Sequence, residues 1–263
     1  MARIHASAIV DPQAELADDV VVGPFSIIGP KVHIGAGSQI DAHVVLAGHT
    51  RLGARNRVFP FCSIGSDPQD KKYAGEPTEL IIGDGNTFRE YCLINTGTVQ
   101  GGNLTRIGSD NWIMGYAHVA HDCIVGSHTI IANGVQLAGH VTVEDWAIIG
   151  GTSAVHQFVR VGAHTMTGGG TILLQDLPPY VICNGNPAQP HGVHVEGLRR
   201  RQFSAESIAA LRRAYKIVYR ESLPLAQART ELETLIAETP GEHAAPLRAF
   251  AEFLAVPGRG IVR

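Results

Sequence analysis

An aliphatic residue at every sixth position, a small residue four places after it, and a change to helical spacing near residue 195 predict a mainly β fold. The predicted class is a parallel β-helix of hexapeptide repeats followed by a C-terminal α-helical domain. From Ile107 the beat runs through Ile113, Val119, Val125, Ile131, Leu137, Val143, Ile149 and Val155 to Val161. Ala117, Cys123, Thr129, Val135, Val141, Ala147 and Ser153 hold the fifth place, and Gly108, Gly126, Gly150 and Gly162 follow the aliphatic one. Helices repeat near 3.6 residues and half-buried strands at 2, so neither template yields six.

The beat starts at once, with Ile4, Val10, Leu16, Val22, Ile28, Ile34, Ile40, Leu46, Leu52, Val58 and Ile64 in one phase. Residues 66–78, SDPQDKKYAGEPT, abandon it and read as a loop extruded from a corner of the solenoid. It resumes at Ile82, Phe88 and Ile94, breaks again near 98–106 (TVQGGNLTR), and continues from Ile107. Beyond Val161 the chain is Gly- and Pro-rich and is expected to close the solenoid irregularly by residue 190. Residues 191–263 form the helical domain. Ser204 is an N-cap for a helix carrying Ile208, Leu211, Tyr215 and Val218, and two more amphipathic segments follow.

Net charge is −3 and aromatics are 6% of the 263 residues, which argues against bulk nucleic-acid binding and against disorder. The N-terminal MARIHASAIVDP has no apolar core of a signal peptide, and no run of 18 apolar residues occurs. A cytoplasmic protein is expected. The 4 cysteines include no CxxC pair, and Cys62, Cys92 and Cys123 fall on the small fifth place, so they read as packed thiols.

Six residues on each of three faces make eighteen per coil, so residues eighteen apart stack roughly 4.8 Å from each other. Asp122 then lies beneath His140, while His121, Gly139 and Gln157 form the next column, with His118 and His156 close by. Their hexad places point outward. A three-histidine zinc site would need His at 157 or 158, which are Gln157 and Phe158; His128 and His164 are separated by the layer of Trp146. No metal is expected. A neutral imidazole can take a proton from an attacking hydroxyl, a carboxylate can orient it, and the N–H of a side-chain-free glycine can meet an oxyanion. No Ser or Cys stands beside the cluster as a nucleophile, which favours direct acyl transfer.

The stretches AHVAHDC, LAGHVTV, AIIGG, HQF, QDKKYAGEPT, GTVQGG, LPPYV and EGLRRR resemble the UDP-N-acetylglucosamine 3-O-acyltransferases of lipid A biosynthesis over almost the whole chain. The resemblance implies a left-handed β-helix, an exception to right-handed crossovers, and a homotrimer with active sites between subunits. It implies transfer of an (R)-3-hydroxyacyl group from acyl carrier protein to the glucosamine 3-hydroxyl of UDP-N-acetylglucosamine, with no cofactor beyond the carrier's phosphopantetheine. Carried over, His121 is the general base, Asp122 its orienting partner and Gly139 the oxyanion donor. Gln69, Asp70 and Lys72 contact substrate across the subunit boundary. His118, His140, His156 and Gln157 position sugar nucleotide and donor. Glu196, Arg200 and Arg201 hold the nucleotide, and Gly169 bounds the acyl pocket.

Asn95, Thr96, Pro187 and His194 depart from the family pattern. Arg160, Arg212, Arg213 and Lys216 are candidates for docking an acidic carrier. The competing readings are the related N-acyltransferase, an acetyl-CoA-dependent hexapeptide acetyltransferase, and a non-catalytic trimeric scaffold.

Overall fold

The six-residue beat winds into a three-faced prism in the computed structural model, which describes residues 1–256 and 258–263. The faces are sheets of 11, 9 and 8 strands, most of them two residues long. Ile113 pairs with Ile131 and Ile131 with Ile149 on the first face. Val119, Leu137 and Val155 stack on the second, and Val125, Val143 and Val161 on the third. Every such pair is parallel, and these aliphatic side chains are buried. Backbone N–H and C=O groups thereby bond to the coils above and below, while the apolar row fills the bore.

From Phe25 onward most corners turn through one residue with positive φ, and most of those residues are not glycine. Side chains held this way project in register and stack. Phe25, His43, Phe61, Tyr91 and Tyr116 make one column, with centroid spacings of 5.1, 5.1, 5.0 and 4.8 Å. The coil rise of roughly 4.8 Å matches the spacing of offset-stacked rings, so stacking offsets part of the strain of the left-handed conformation. Inside the corner between third and first faces runs a buried amide ladder. Asn86 Nδ2 donates to Asn56 Oδ1 (3.0 Å), and Asn111 Nδ2 donates to Asn86 Oδ1 (2.9 Å).

Both excursions leave the prism at one corner, between second and third faces. Ile64 stacks on Ile94 and Ile94 on Val119, separations of thirty and twenty-five residues instead of eighteen. The second excursion is shorter than the sequence suggests. Leu104–Ile107 is already a strand, paired with Glu79–Ile82.

The chain after Val161 is more regular than its Gly and Pro content suggests. Ile172–Leu173 continues the second face, and Val181–Asn184 with Gln189–Val193 adds an antiparallel hairpin to the first. Helices follow at Val195–Arg200, Ala205–Tyr219, Leu225–Glu238 and Ala245–Ala255. Ser204 caps the second of these by accepting from Ser207 N–H. Leu232, Leu247 and Phe250 bury the bundle's inner faces. The C-terminal strand segment returns to the solenoid, where Asp176 N–H donates to Gly260 O and Val262 N–H to Asp176 O. No helix among the described residues is long and apolar enough to cross a membrane. All four cysteines are free and buried.

The amide ladder gives a direct stability test. Asn86→Leu removes donors to Asn56, Gly83 and Gly108 and the acceptor for Asn111. Stranding those buried partners should lower stability by about 2–4 kcal/mol. Urea unfolding should show a reduced midpoint.

Candidate active site

Asp122 is the corner residue of its coil, with φ 60°. Its hexad place points outward, yet its side chain is only 1% exposed. The cause is the second excursion, which folds under it. Thr98 N–H donates to Asp122 Oδ1 at 2.7 Å, and Thr98 Oγ1 donates to Oδ2 at 2.6 Å. Asp122's own N–H donates to Thr105 Oγ1 at 2.8 Å. A buried carboxylate without donors would be strongly disfavoured, so these contacts permit its burial.

His121 Nδ1–H donates to Asp122 Oδ2 at 2.7 Å. That bond leaves Nε2 with the lone pair. The ring lies across Gly139, where an added Cβ would stand 2.5 Å from His121 Cε1 and 2.8 Å from Nε2. Glycine is therefore required by close approach. The Gly139 N–H donates to nothing among the described residues, as the first residue of a corner turns its N–H away from the ladder.

His140 stands one coil above Asp122, with Nε2 3.7 Å from Oδ2, beyond hydrogen-bond length. Its ring meets His121 edge-on at 5.2 Å and stacks on Phe158 at 4.4 Å. Burial lowers the His140 pKa, and the nearby charges of Asp122 and Asp70 partly oppose that shift. The two imidazoles and the carboxylate have ligand-type atoms within 4.8 Å of one another. Asp122 Oδ2 already accepts from His121 and Thr98, so a hydrogen-bonded dyad accounts for the spacing.

The excursion 66–78 emerges at the same corner, two coils below. Asp70 accepts from Lys72 N–H at 3.0 Å, and exposed Gln69 precedes it. Asn95 ties this loop to the cluster: its Nδ2 donates to Asp67 O at 2.7 Å, while its Oδ1 accepts from His118 Nε2–H at 3.0 Å. The departure at Asn95 thus has a structural role. Burial lowers the pKa of His118. His156 Nδ1–H donates to Gln157 O at 3.0 Å. His118 and His156 flank an apolar groove over Ala154, Ile172 and Leu174 on the second face.

Other expected site residues lie elsewhere in the chain. Glu196 and Arg200 pair with each other on the surface, at 3.1 Å. Arg201 packs its guanidinium over Trp146 at 5.0 Å and donates to Trp146 O, on the corner between third and first faces. Gly169 lies exposed on the corner between first and second faces. A single chain does not unite these with His121. Two carrier-docking candidates change character. Arg160 is committed to Asp176 at 3.0 Å, to Phe253 O and to Val256 O, and Arg213 pairs with Glu238 at 3.6 Å.

The six-residue period does not single out Thr98, Gly101, Thr105 or the link through Asn95. Their only advance signal is the spacing of Ile94 and Val119, which places the second excursion one coil beneath His121.

Period, coil and His–Asp corner define a hexapeptide-repeat transferase, and a family model described as bacterial transferase hexapeptide (six repeats) matches residues 104–139. A second model, described as UDP N-acetylglucosamine O-acyltransferase, domain 2, matches residues 176–262. An acyl-[acyl-carrier-protein]–UDP-N-acetylglucosamine O-acyltransferase of Thiobacillus denitrificans is 56% identical over 100% of both chains. The protein of that name from Herminiimonas arsenicoxydans is 54% identical, again over 100% of both. Solved UDP-N-acetylglucosamine O-acyltransferases from Acinetobacter baumannii and Moraxella catarrhalis superpose with TM-scores of 0.92 and 0.94, at 45% and 42% identity, covering 99% of each chain. The chain belongs to the acyl-[acyl-carrier-protein]–UDP-N-acetylglucosamine O-acyltransferase family. Its fold is the left-handed parallel β-helix with a helical C-terminus.

The Trp146 corner predicts a pH response. Burial, aided by Arg201 and His194 and opposed by Asp145, pushes the His164 pKa down to about 4. The unfolded chain, with an ordinary histidine near 6.5, then binds this proton first. Stability should be fully present above pH 6.5, decline as pH falls toward 4, and level off below. Burial lowers the pKa of His118, His140 and His194 as well, and these add to the same slope. An imidazole NMR titration should place the His164 midpoint near 4. In a His164→Phe protein the stability slope across this window should shrink.

Proposed function

We propose that the chain transfers an (R)-3-hydroxyacyl group from acyl carrier protein to the glucosamine 3-hydroxyl of UDP-N-acetylglucosamine, the first step of lipid A synthesis. The observation that carries the mechanism is the His121 Nδ1–Asp122 Oδ2 bond of 2.7 Å, with the opposite edge of the ring lying against Gly139. His121 Nε2 takes the proton of the sugar hydroxyl as that oxygen attacks the thioester carbonyl. Asp122 holds the tautomer and stabilises the imidazolium. The Gly139 N–H receives the developing oxyanion. Collapse of the tetrahedral species breaks the carbon–sulfur bond, and His121 returns the proton to the departing phosphopantetheine thiol.

His118, His140, His156 and Gln157 position the two substrates around this centre. Gln69, Asp70 and Lys72 approach from the loop, Glu196, Arg200 and Arg201 hold the nucleotide, and Gly169 bounds the acyl pocket. Guanidinium groups suit a diphosphate. The placement of Arg201 and His121 on different corners supports a homotrimer in which one copy's Trp146 corner faces the next copy's His121 corner. No resident cofactor enters this scheme, and the working compartment is the cytoplasm.

The decisive assay offers UDP-N-acetylglucosamine a panel of 3-hydroxyacyl carrier proteins of different chain lengths. Wild-type protein should form product, and His121→Ala should lose at least about 10³-fold in kcat. Acetyl-CoA consumption with another acceptor, and no product from any carrier, would favour the acetyltransferase reading; no turnover of either donor would favour a scaffold. Gly139→Ala should lose about 100-fold in kcat, because its Cβ would displace the imidazole. Light scattering should give three times the chain's 28.0 kDa, and a monomer would count against a shared site.

A further inference from the structure

The second excursion begins with a small, closed piece of geometry around the Asp122 carboxylate. Thr98 is the N-cap of a 3-10 turn over Val99–Gly101, and its Oγ1 accepts from Gly101 N–H. With that lone pair occupied, the hydroxyl's single proton is directed to Asp122 Oδ2, at 2.6 Å. The Thr98 N–H takes the other carboxylate oxygen, Oδ1, at 2.7 Å. The two bonds come from one residue and reach both oxygens, so the carboxylate cannot rotate about its Cβ–Cγ axis without breaking one. Gly101 completes the cradle, since a Cβ there would clash with the carboxylate itself. The remaining lone pair of Oδ2 is left aimed at His121 Nδ1, at 2.7 Å.

We infer that Thr98 is a positioning residue of the acyl transfer, locking the Asp122 carboxylate so that it selects the His121 tautomer with Nε2 free. The inference rests on the reading of His121 as general base. Thr98 touches no reacting atom in this scheme; it acts through Asp122. The excursion is then part of the catalytic machinery, inserted on the coil where its turn can reach the carboxylate from below. Threonine suits the place because one residue supplies a backbone donor and a hydroxyl donor a few ångströms apart. Its β-branching also restricts χ1, which limits where the hydroxyl can go.

The test is a pair of substitutions read three ways. Thr98→Val keeps shape and the backbone donor but removes the hydroxyl; Thr98→Ser retains the hydroxyl. The titratable groups near the dyad are His118 on the same coil, His140 on the coil above and Asp70 on the loop, and neither substitution touches them. In the whole chain, Thr98→Val should lower kcat about tenfold while both KM values stay within about twofold. The acidic limb of its kcat profile should move, because the carboxylate that faces the imidazolium is no longer held in one orientation. Thr98→Ser should restore both values.

The imidazole NMR signals of His121, read without substrate, should show a slowly exchanging Nδ1–H in wild type and Thr98→Ser that broadens in Thr98→Val. This last measurement stands apart from catalysis, so it judges the carboxylate lock even if wild-type protein transfers no acyl group. Wild-type kcat and limb position in Thr98→Val would overturn the inference. So would an unchanged Nδ1–H signal in that variant, or a Thr98→Ser protein as impaired as Thr98→Val.

Discussion

Everything in this molecule depends on closing each coil so that its backbone meets the next coil in register. A strand only two residues long has almost no stability of its own, and a coil with unpaired N–H and C=O groups has none. Stacking solves both problems at once. It also imposes the eighteen-residue step, because only that step brings an aliphatic residue over an aliphatic residue on every face. Extra chain is tolerated only where it leaves at a corner and returns to the same register, as both excursions do.

The same constraint builds the chemistry. Residues far apart in sequence become vertical neighbours, so Asp122, His140 and Phe158 form one column through their shared positive φ. The neighbouring column offers His121, then Gly139. A side chain on one coil lies over the backbone of the next, which is why the absence of a side chain at Gly139 matters as much as the imidazole at His121. The corner strain is modest at each residue and is offset by ladder bonds and ring stacking.

Burial then separates the cluster into different electrostatic settings. Asp122 is enclosed but receives donors from Thr98 and His121, whereas His118 and His140 are desolvated and are held toward their neutral forms. The Trp146 corner repeats the theme. There His164 and Arg201 crowd the same aromatic stack, and both are disfavoured as cations by burial. That corner reads as an anchor for the helical end of the chain as much as a binding element.

The amino-acid sequence alone determined the solenoid, its three faces and the columns of its corners, because a six-residue period is a direct image of the coil. It also placed His121, Asp122, Gly139 and His140 together, since stacking reduces proximity to subtraction. The tertiary structure decided what surrounds them. An excursion has no period, so nothing in TVQGGNLTR announces that it turns back under Asp122 or that Thr98 meets both carboxylate oxygens. Arg160 shows the same limit in reverse: its charge suggested a partner outside the chain, and only folding revealed Asp176 sixteen residues on as the group that holds it. Periodicity records which residues share a face. Hydrogen-bond partners across irregular chain depend on where loops return, and that is settled only by the folded backbone.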